Sequence, residues 1–280
     1  MQLGLFGINM GVNARPAELA RTARAAEDAG FDSVWAGEHV ILPDPQVPPS
    51  PMAPGEPALD PVVALAWAAA HTERLRLATG ILILPQRNPV VLAKQLASLD
   101  VLTGGRLIVG IGVGYLEPEF RAIGANFPRR GAVTDEHLEA MSHLWYDERP
   151  EYHGEFAAFA GMDAHPRPAQ RPLPIVVGGH TPAAFRRAVT RGHGWYGFSL
   201  DEGNVARCLD GLRAAAETEA RPAALGPLEI TVTPRGRLTH ERVAAFAELG
   251  VHRLVPTAAP SAGADEVRAT IAAARQAVDG

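Results

Sequence analysis

The 280-residue chain is 47% apolar and 20% charged, the balance of a folded protein with a sizeable core rather than of a disordered one. A formal net charge of −5 provides no basic field to attract nucleic acid or an anionic membrane, so neither is expected as a partner. The single cysteine, Cys208, rules out an intramolecular disulfide and a cysteine-built structural metal site. It lies in the helix-like stretch from Val205 to Leu212 and reads as a core thiol ahead of a nucleophile. The opening residues, MQLGLFGINM, lack the basic start and long apolar run of a signal peptide, and no run of about 18 apolar residues follows, so the cytoplasm is the expected compartment.

In chain order, short Ile-, Leu- and Val-rich runs alternate with stretches of helical apolar spacing. Gln2 to Ile8 reads as a strand and Pro16 to Ala29 as a helix opened by proline and stopped by Gly30. Ser33 to Ala36 is a second strand. A Pro-rich loop from Ile41 to Asp60 follows, long enough to suggest a binding loop or lid. Asp60-Pro61 then caps a helix ending near Thr72. Leu75 to Ile83 is the third strand, Pro89 to Leu102 its helix, and Arg106 to Val113 the fourth strand. An irregular stretch from Gly114 to Gly131 leads into a helix from Val133 to Tyr146, and Pro150 to Pro172 forms a second insertion with a small hairpin at Tyr152 to Phe159.

Pro174 to Val177 with the helix Pro182 to Arg191 makes a fifth unit. Strands at Gly194 to Phe198, Glu229 to Thr233 and Arg253 to Pro256, with helices at Asn204 to Glu219, Thr239 to Leu249 and Ala264 to Val278, complete eight. Eight parallel units in about 250 residues predict an α/β fold, one (β/α)8 TIM barrel over residues 1–280 with insertion loops at the C-terminal rim, in preference to an open doubly wound sheet.

In such a barrel, residues just past each strand share one rim and can converge on a ligand. Glu38-His39 arrives there after the second strand, and an imidazole that titrates near neutrality can carry a proton beside a reacting group. Gly80 interrupts the third strand, which signals either a bulge or a place where a ligand approaches the backbone. Gly110-Ile111-Gly112-Val113-Gly114 fails the G-x-G-x-x-G spacing of a dinucleotide fingerprint and reads instead as backbone cleared for a flat ring, a tight turn being the alternative. In Gly178-Gly179-His180-Thr181-Pro182, free backbone N–H groups at a helix start would attract phosphate, although capping alone accounts for Thr181-Pro182. There is no H-E-x-x-H, no G-x-S-x-G and no P-loop, and no metal is expected.

Three blocks together, Ala26 to Val40, His71 to Tyr115 and Arg171 to Val189, resemble the luciferase-like monooxygenase superfamily, and more narrowly its branch that uses the deazaflavin coenzyme F-420. The resemblance implies a hydride-transferring barrel, commonly dimeric, with a flavin-type ring in its mouth and a small organic substrate. It places Gly80-Ile81 where relatives carry a non-proline cis peptide behind the ring, and Glu38 and His39 as the acidic-His pair beside it. By the same resemblance Gly110, Ile111, Gly112 and Gly114 contact ring and tail, and Gly178, Gly179, His180 and Thr181 form the phosphate loop. The alternative cofactor is FMN, with a separate reductase as partner. A non-catalytic flavin- or metabolite-binding barrel would keep the glycines and have no use for Glu38-His39. Pro43 to Pro57, Leu116 to Arg130 and Glu151 to Arg167 are expected to shape the substrate pocket.

Overall fold

A computed structural model describes residues 1–280. Strands β1 (Gln2–Phe6), β2 (Ser33–Ala36) and β3 (Arg76–Thr79) pair in parallel in that order. The line of β3 is resumed by β4 (Leu82–Ile83), and both pair with β5 (Leu107–Gly112). After the antiparallel hairpin β6 (Tyr152–His153) and β7 (Ala158–Phe159), the ladder continues through β8 (Ile175–Gly178), β9 (Gly194–Leu200), β10 (Glu229–Pro234) and β11 (Arg253–Leu254). Because β11 pairs back onto β1, the sheet closes into an eight-stranded parallel barrel.

Nine helices surround it: α1 (Pro16–Asp28), α2 (Pro61–Ala69), α3 (Pro89–Leu102), α4 (Glu117–Ala122), α5 (Arg130–Tyr146), α6 (Pro182–Arg191), α7 (Glu202–Thr218), α8 (His240–Glu248) and α9 (Ala264–Asp279). Their starts follow local chemistry. Proline holds the first position of α1, α2, α3 and α6, where its missing N–H costs nothing. Asp60, Asn88, Thr181, Asp201 and Thr239 accept N–H groups of the first turns. No helix is long and apolar enough to cross a membrane.

Strand alternation divides the apolar residues into two cores. Leu3, Leu5, Val34, Leu107, Val109, Ile111, Ile175, Val177, Ile230 and Val232 point outward and pack with the helices in one large cluster. Their neighbours Trp35, Ala78, Ile108, Val176, Tyr196 and Val255 form a separate cluster inside the barrel. There the Trp35 and Tyr196 rings stack at 5.0 Å, and the Tyr196 hydroxyl shares a 2.6 Å hydrogen bond with Thr233 Oγ1. Burial pushes that phenol far above its ordinary pKa.

The N-terminal end of the barrel is stoppered by Arg253, which is 1% exposed. Its guanidinium donates to Asp32 Oδ2 at 2.7 Å, to Gln2 Oε1 at 2.7 Å and to Glu229. Here burial raises the Asp32 pKa while the Arg253 charge opposes that rise.

Several boundaries differ from the sequence reading. The third strand is split at Gly80-Ile81, and the regular part of the eighth is two residues long, although backbone bonds from Val255 N–H to Val232 O and from Phe6 N–H to Pro256 O carry its pairing further. The stretch from Gly114 to Gly131 is not wholly irregular: it holds α4, which Glu117 and Pro118 open. Helix α7 begins at Glu202, since Asp201 caps the Asn204 N–H. The hairpin turn is held from α5, where Glu136 accepts the N–H groups of Phe156 and Ala157.

Removing the Arg253 guanidinium would leave Asp32 and Glu229 facing each other with no hydrogen-bonded cation and only the charge of Arg76 nearby. Arg253→Ala is expected to lower unfolding free energy by roughly 3 kcal/mol, the low end for a broken buried ion pair because both carboxylates keep some water contact. Urea unfolding followed by fluorescence measures it, and an unchanged midpoint would show that the stopper adds nothing.

Candidate active site at the C-terminal rim

The rim is organised by an extra residue in the third strand. Ala78 faces Ile108 and Leu82 faces Ile111, so Thr79, Gly80 and Ile81 stand opposite only Val109 and Gly110. Such a bulge bends a strand and re-aims its side chains. The Gly80-Ile81 peptide is cis. The bulge is held at both flanks: Gly80 N–H donates to Ala36 O at 2.7 Å, and Thr79 Oγ1 donates to Gly110 O at 2.7 Å.

The glycines around it are explained by close packing. A Cβ on Gly110 would run into the Thr79 carbonyl, one on Gly112 would meet Ile81 Cδ1 at 2.7 Å, and one on Gly178 would meet Ile81 Cγ2 at 3.0 Å. The ends of the third, fourth and fifth barrel strands therefore converge on the Ile81 side chain. This corrects the reason the sequence offered for Gly110 and Gly112, whose missing side chains make room for the bulge itself. It also corrects Ile111, whose side chain is fully buried among the outward-facing residues, away from the mouth. Gly114 has a φ of +76° and lies against Ile83 and Phe120. On the other wall, the Phe6 and Phe198 rings meet at 4.9 Å, and Phe198 is exposed.

Glu38 and His39, adjacent in sequence, engage different partners. Glu38 is buried; one oxygen accepts the Ile83 N–H, and the other accepts Arg87 Nε at 2.7 Å together with Arg87 Nη2. Arg87 also donates to Asp60 Oδ2 at 2.6 Å, which ties this pair to the cap of α2. Burial raises the Glu38 pKa against the pull of Arg87; for Arg87, burial opposes the charged form but the two carboxylates outweigh it and raise its pKa. The acidic-His pair expected from the sequence is thus not a contact: Glu38 is joined to the β4 backbone and to α2.

The carboxylate on His39 comes instead from Glu119 of α4, whose Oε2 lies 3.2 Å from His39 Nδ1. Its other oxygen accepts the Val40 N–H and, at 3.4 Å, the Ile41 N–H. On the far side of the imidazole, Tyr115 Oη is 3.4 Å from Nε2. Burial works to raise the Glu119 pKa, yet the hydrogen bond and charge of His39, with Gln86 and the Val40 amide, hold it below the ordinary value. Glu119, Tyr115 and Arg87 were not singled out in the sequence, although the E-P-E-F start of α4 was a readable helix signal.

At the end of β8, Gly179 has a φ of +125°, a left-handed conformation that favours glycine, and a Cβ there would meet the Ala184 Cβ at 2.9 Å. Its carbonyl accepts Trp195 Nε1 at 2.8 Å. Thr181 Oγ1 caps α6 through Ala184 N–H. The N–H groups of His180 and Thr181 donate to no backbone or side-chain acceptor of the chain. The His180 ring accepts the Phe198 N–H at Nε2, 3.1 Å away, and burial lowers its pKa, so the ring is neutral with hydrogen on Nδ1.

The chain matches the luciferase-like monooxygenase family over residues 4–277 and belongs to it. It is similar to an uncharacterised protein of Mycobacterium tuberculosis, 31% identical over 278 residues and 95% of both chains. It is 34% identical to the F420-dependent glucose-6-phosphate dehydrogenase of Kineococcus radiotolerans, over 74% of this chain and 61% of that one. It is 32% identical to the FMNH(2)-dependent dimethylsulfone monooxygenase of Pseudomonas putida, over 56% of this chain and 44% of that one. Among solved structures, the monooxygenase RslO1 from Streptomyces bottropensis superposes with a TM-score of 0.78 at 25% identity, covering 99% of this chain and 98% of that one. An F420-dependent secondary alcohol dehydrogenase shares the fold, with a TM-score of 0.79 at 16% identity over 99% and 98% of the chains. Relatives of both cofactor types therefore surround this member.

Two outcomes follow from the paired carboxylates. Glu38→Ala strands the Arg87 guanidinium with Asp60 alone, and roughly 3 kcal/mol of stability should be lost in urea unfolding; a loss under about 0.5 kcal/mol, that of an ordinary surface change, would contradict the pairing. Glu119, with its folded pKa below the ordinary value of 4.5, contributes stability that is present above about pH 4.5 and disappears as pH falls through the lower folded pKa. The stability gap between wild type and Glu119→Gln should accordingly shrink as pH falls from about 4.5 toward 3; a gap that grows over that interval would reverse the sign.

Proposed function

We propose that this luciferase-like family member is a coenzyme F-420-dependent oxidoreductase, passing a hydride between the deazaflavin and a small organic substrate. The observation that carries this reading is the convergence of the Gly80-Ile81 bulge, Gly112 and Gly178 on one face of the mouth, beside unpartnered N–H groups of His180 and Thr181. A planar ring with an anionic tail suits that surface: Gly80 and Ile81 would back the ring, with the strand end Gly110 to Gly114 beside it. The Gly178 to Thr181 turn would receive the phosphate, where the dipole of α6 adds to the two free amides. When bound, the cofactor supplies the hydride donor or acceptor, and the protein orients and shields it.

The chain's own residues handle the proton. His39 stands at the rim with Nε2 toward Tyr115 and takes or gives the proton that accompanies hydride transfer. Glu38 keeps the rim in shape through Arg87. A homodimer suits the outer faces of α2 and α3, where Val63, Trp67, Val91 and Leu102 are exposed apolar side chains. A second reading, an FMN-dependent monooxygenase supplied by a separate reductase, is supported by the end-to-end similarity to a monooxygenase, RslO1, and by the FMNH(2)-dependent relative. Against it, the F420-dependent relative matches a larger share of this chain than the FMNH(2)-dependent one.

Titrating purified protein with F-420 and with FMN, followed by fluorescence quenching, tests the assignment. Saturable quenching of F-420, with turnover of the reduced or oxidised form over a substrate panel, is the expected result. Tight FMN binding, with substrate-dependent oxygen uptake once the FMN is supplied in reduced form, would instead establish the monooxygenase, and cofactor binding with no consumption over the panel would indicate a sequestering barrel. His39→Ala should reduce turnover on the order of 10²-fold with cofactor affinity retained.

A further inference from the structure

The geometry points to Glu119 as the positioning residue for His39: its carboxylate keeps the hydrogen on Nδ1 and so makes Nε2 the atom that takes or gives the proton at the mouth. This rests on the proton role of His39 proposed above. The Glu119 side chain is 0% exposed, so it acts through the groups it touches rather than on a ligand in solvent. Both oxygens are occupied by donors. Oε1 receives the backbone N–H groups of Val40 and Ile41, which have no alternative but to donate, and Oε2 faces Nδ1.

A carboxylate held ionised by such partners is acceptor-only, so Nδ1 must carry the hydrogen. The neutral imidazole is then a base at Nε2, where its partner is the half-exposed Tyr115 hydroxyl, with the two rings edge to face at 5.9 Å. If Nε2 gains a proton, the buried carboxylate faces the new positive charge, as the orienting acid does in a Ser-His-Asp triad. No other charged side chain bonds the ring. Glu38, the neighbour on its own segment, is engaged by Arg87 and Ile83, and Gln86 beside Glu119 is uncharged. The same carboxylate ties the start of the loop after β2 to α4 after β5, so it sets where the imidazole stands as well as which nitrogen is free.

The test uses ¹⁵N-histidine-labelled protein and steady-state kinetics with F-420 and a substrate turned over in the panel described above. Wild type should show His39 with a protonated Nδ1 and a bare Nε2, and Glu119→Gln should lose that pattern. In Glu119→Gln, kcat should fall about 10- to 100-fold, the scale for losing a group that orients a functional histidine, with KM and cofactor Kd within about threefold. Glu119→Asp should recover part of the rate, and the double variant with His39→Ala should be no slower than His39→Ala alone. A wild-type spectrum with hydrogen on Nε2 would overturn the proposal even if the variants did not fold. So would a slow His39→Ala enzyme beside a Glu119→Gln enzyme of unchanged rate. Unchanged turnover in His39→Ala would remove the proton role itself, and the proposal with it.

Discussion

One extra residue in the third barrel strand governs the geometry of this mouth. Three residues against two cannot be absorbed by a regular ladder, so the Ile81 side chain is directed onto the ends of the next two strands. Those ends carry glycines at the points of contact. A Cβ on Gly110 would collide with the Thr79 carbonyl and one on Gly112 with the tip of Ile81, while one on Gly178 would press tightly on Ile81 Cγ2. The bulge and the glycines are one feature distributed over three strands, with Thr79 Oγ1 on Gly110 O joining them.

Around this centre the two insertions do different mechanical work. The segment after β2 begins at Glu38 and His39 and runs to Asp60, which both caps α2 and receives Arg87. The segment after β5 supplies α4, and through it the buried Glu119. Two carboxylates thus fasten two loops: Glu38 ties the rim to β4, and Glu119 ties the start of the long loop to the other insertion. At the opposite end, the buried Arg253 closes the barrel with a guanidinium network to Asp32, Glu229 and Gln2. Apolar contact between strands and helices, and polar closure at the floor, leave the mouth as the place where backbone irregularity concentrates.

The membership of the chain in the luciferase-like family fits this layout, and its relatives include enzymes of both deazaflavin and FMN type. The chain has a single lysine, Lys94, whose ammonium bonds the carbonyl of His165 on the second insertion, so positive potential at the Gly178 to Thr181 turn comes from the start of α6 and its free backbone N–H groups.

The sequence by itself determined the alternation of strands and helices, most helix starts and the rim position of the glycine segments. Each of these depends on neighbours within a few residues: a proline at a first turn, an Asp or Thr before it, a Gly that frees the backbone. Tertiary structure alone decided which groups meet. Glu38 and His39 read as a pair because they are adjacent, yet they lie past the end of β2 and each found its partner far along the chain, Arg87 and Glu119. Glycines at alternate positions of β5 looked like space for a ligand, and only closure of the barrel showed that Thr79 and Ile81 fill it. Local propensity is written over a few residues, whereas contacts across 49 or 80 positions exist only once the sheet has closed.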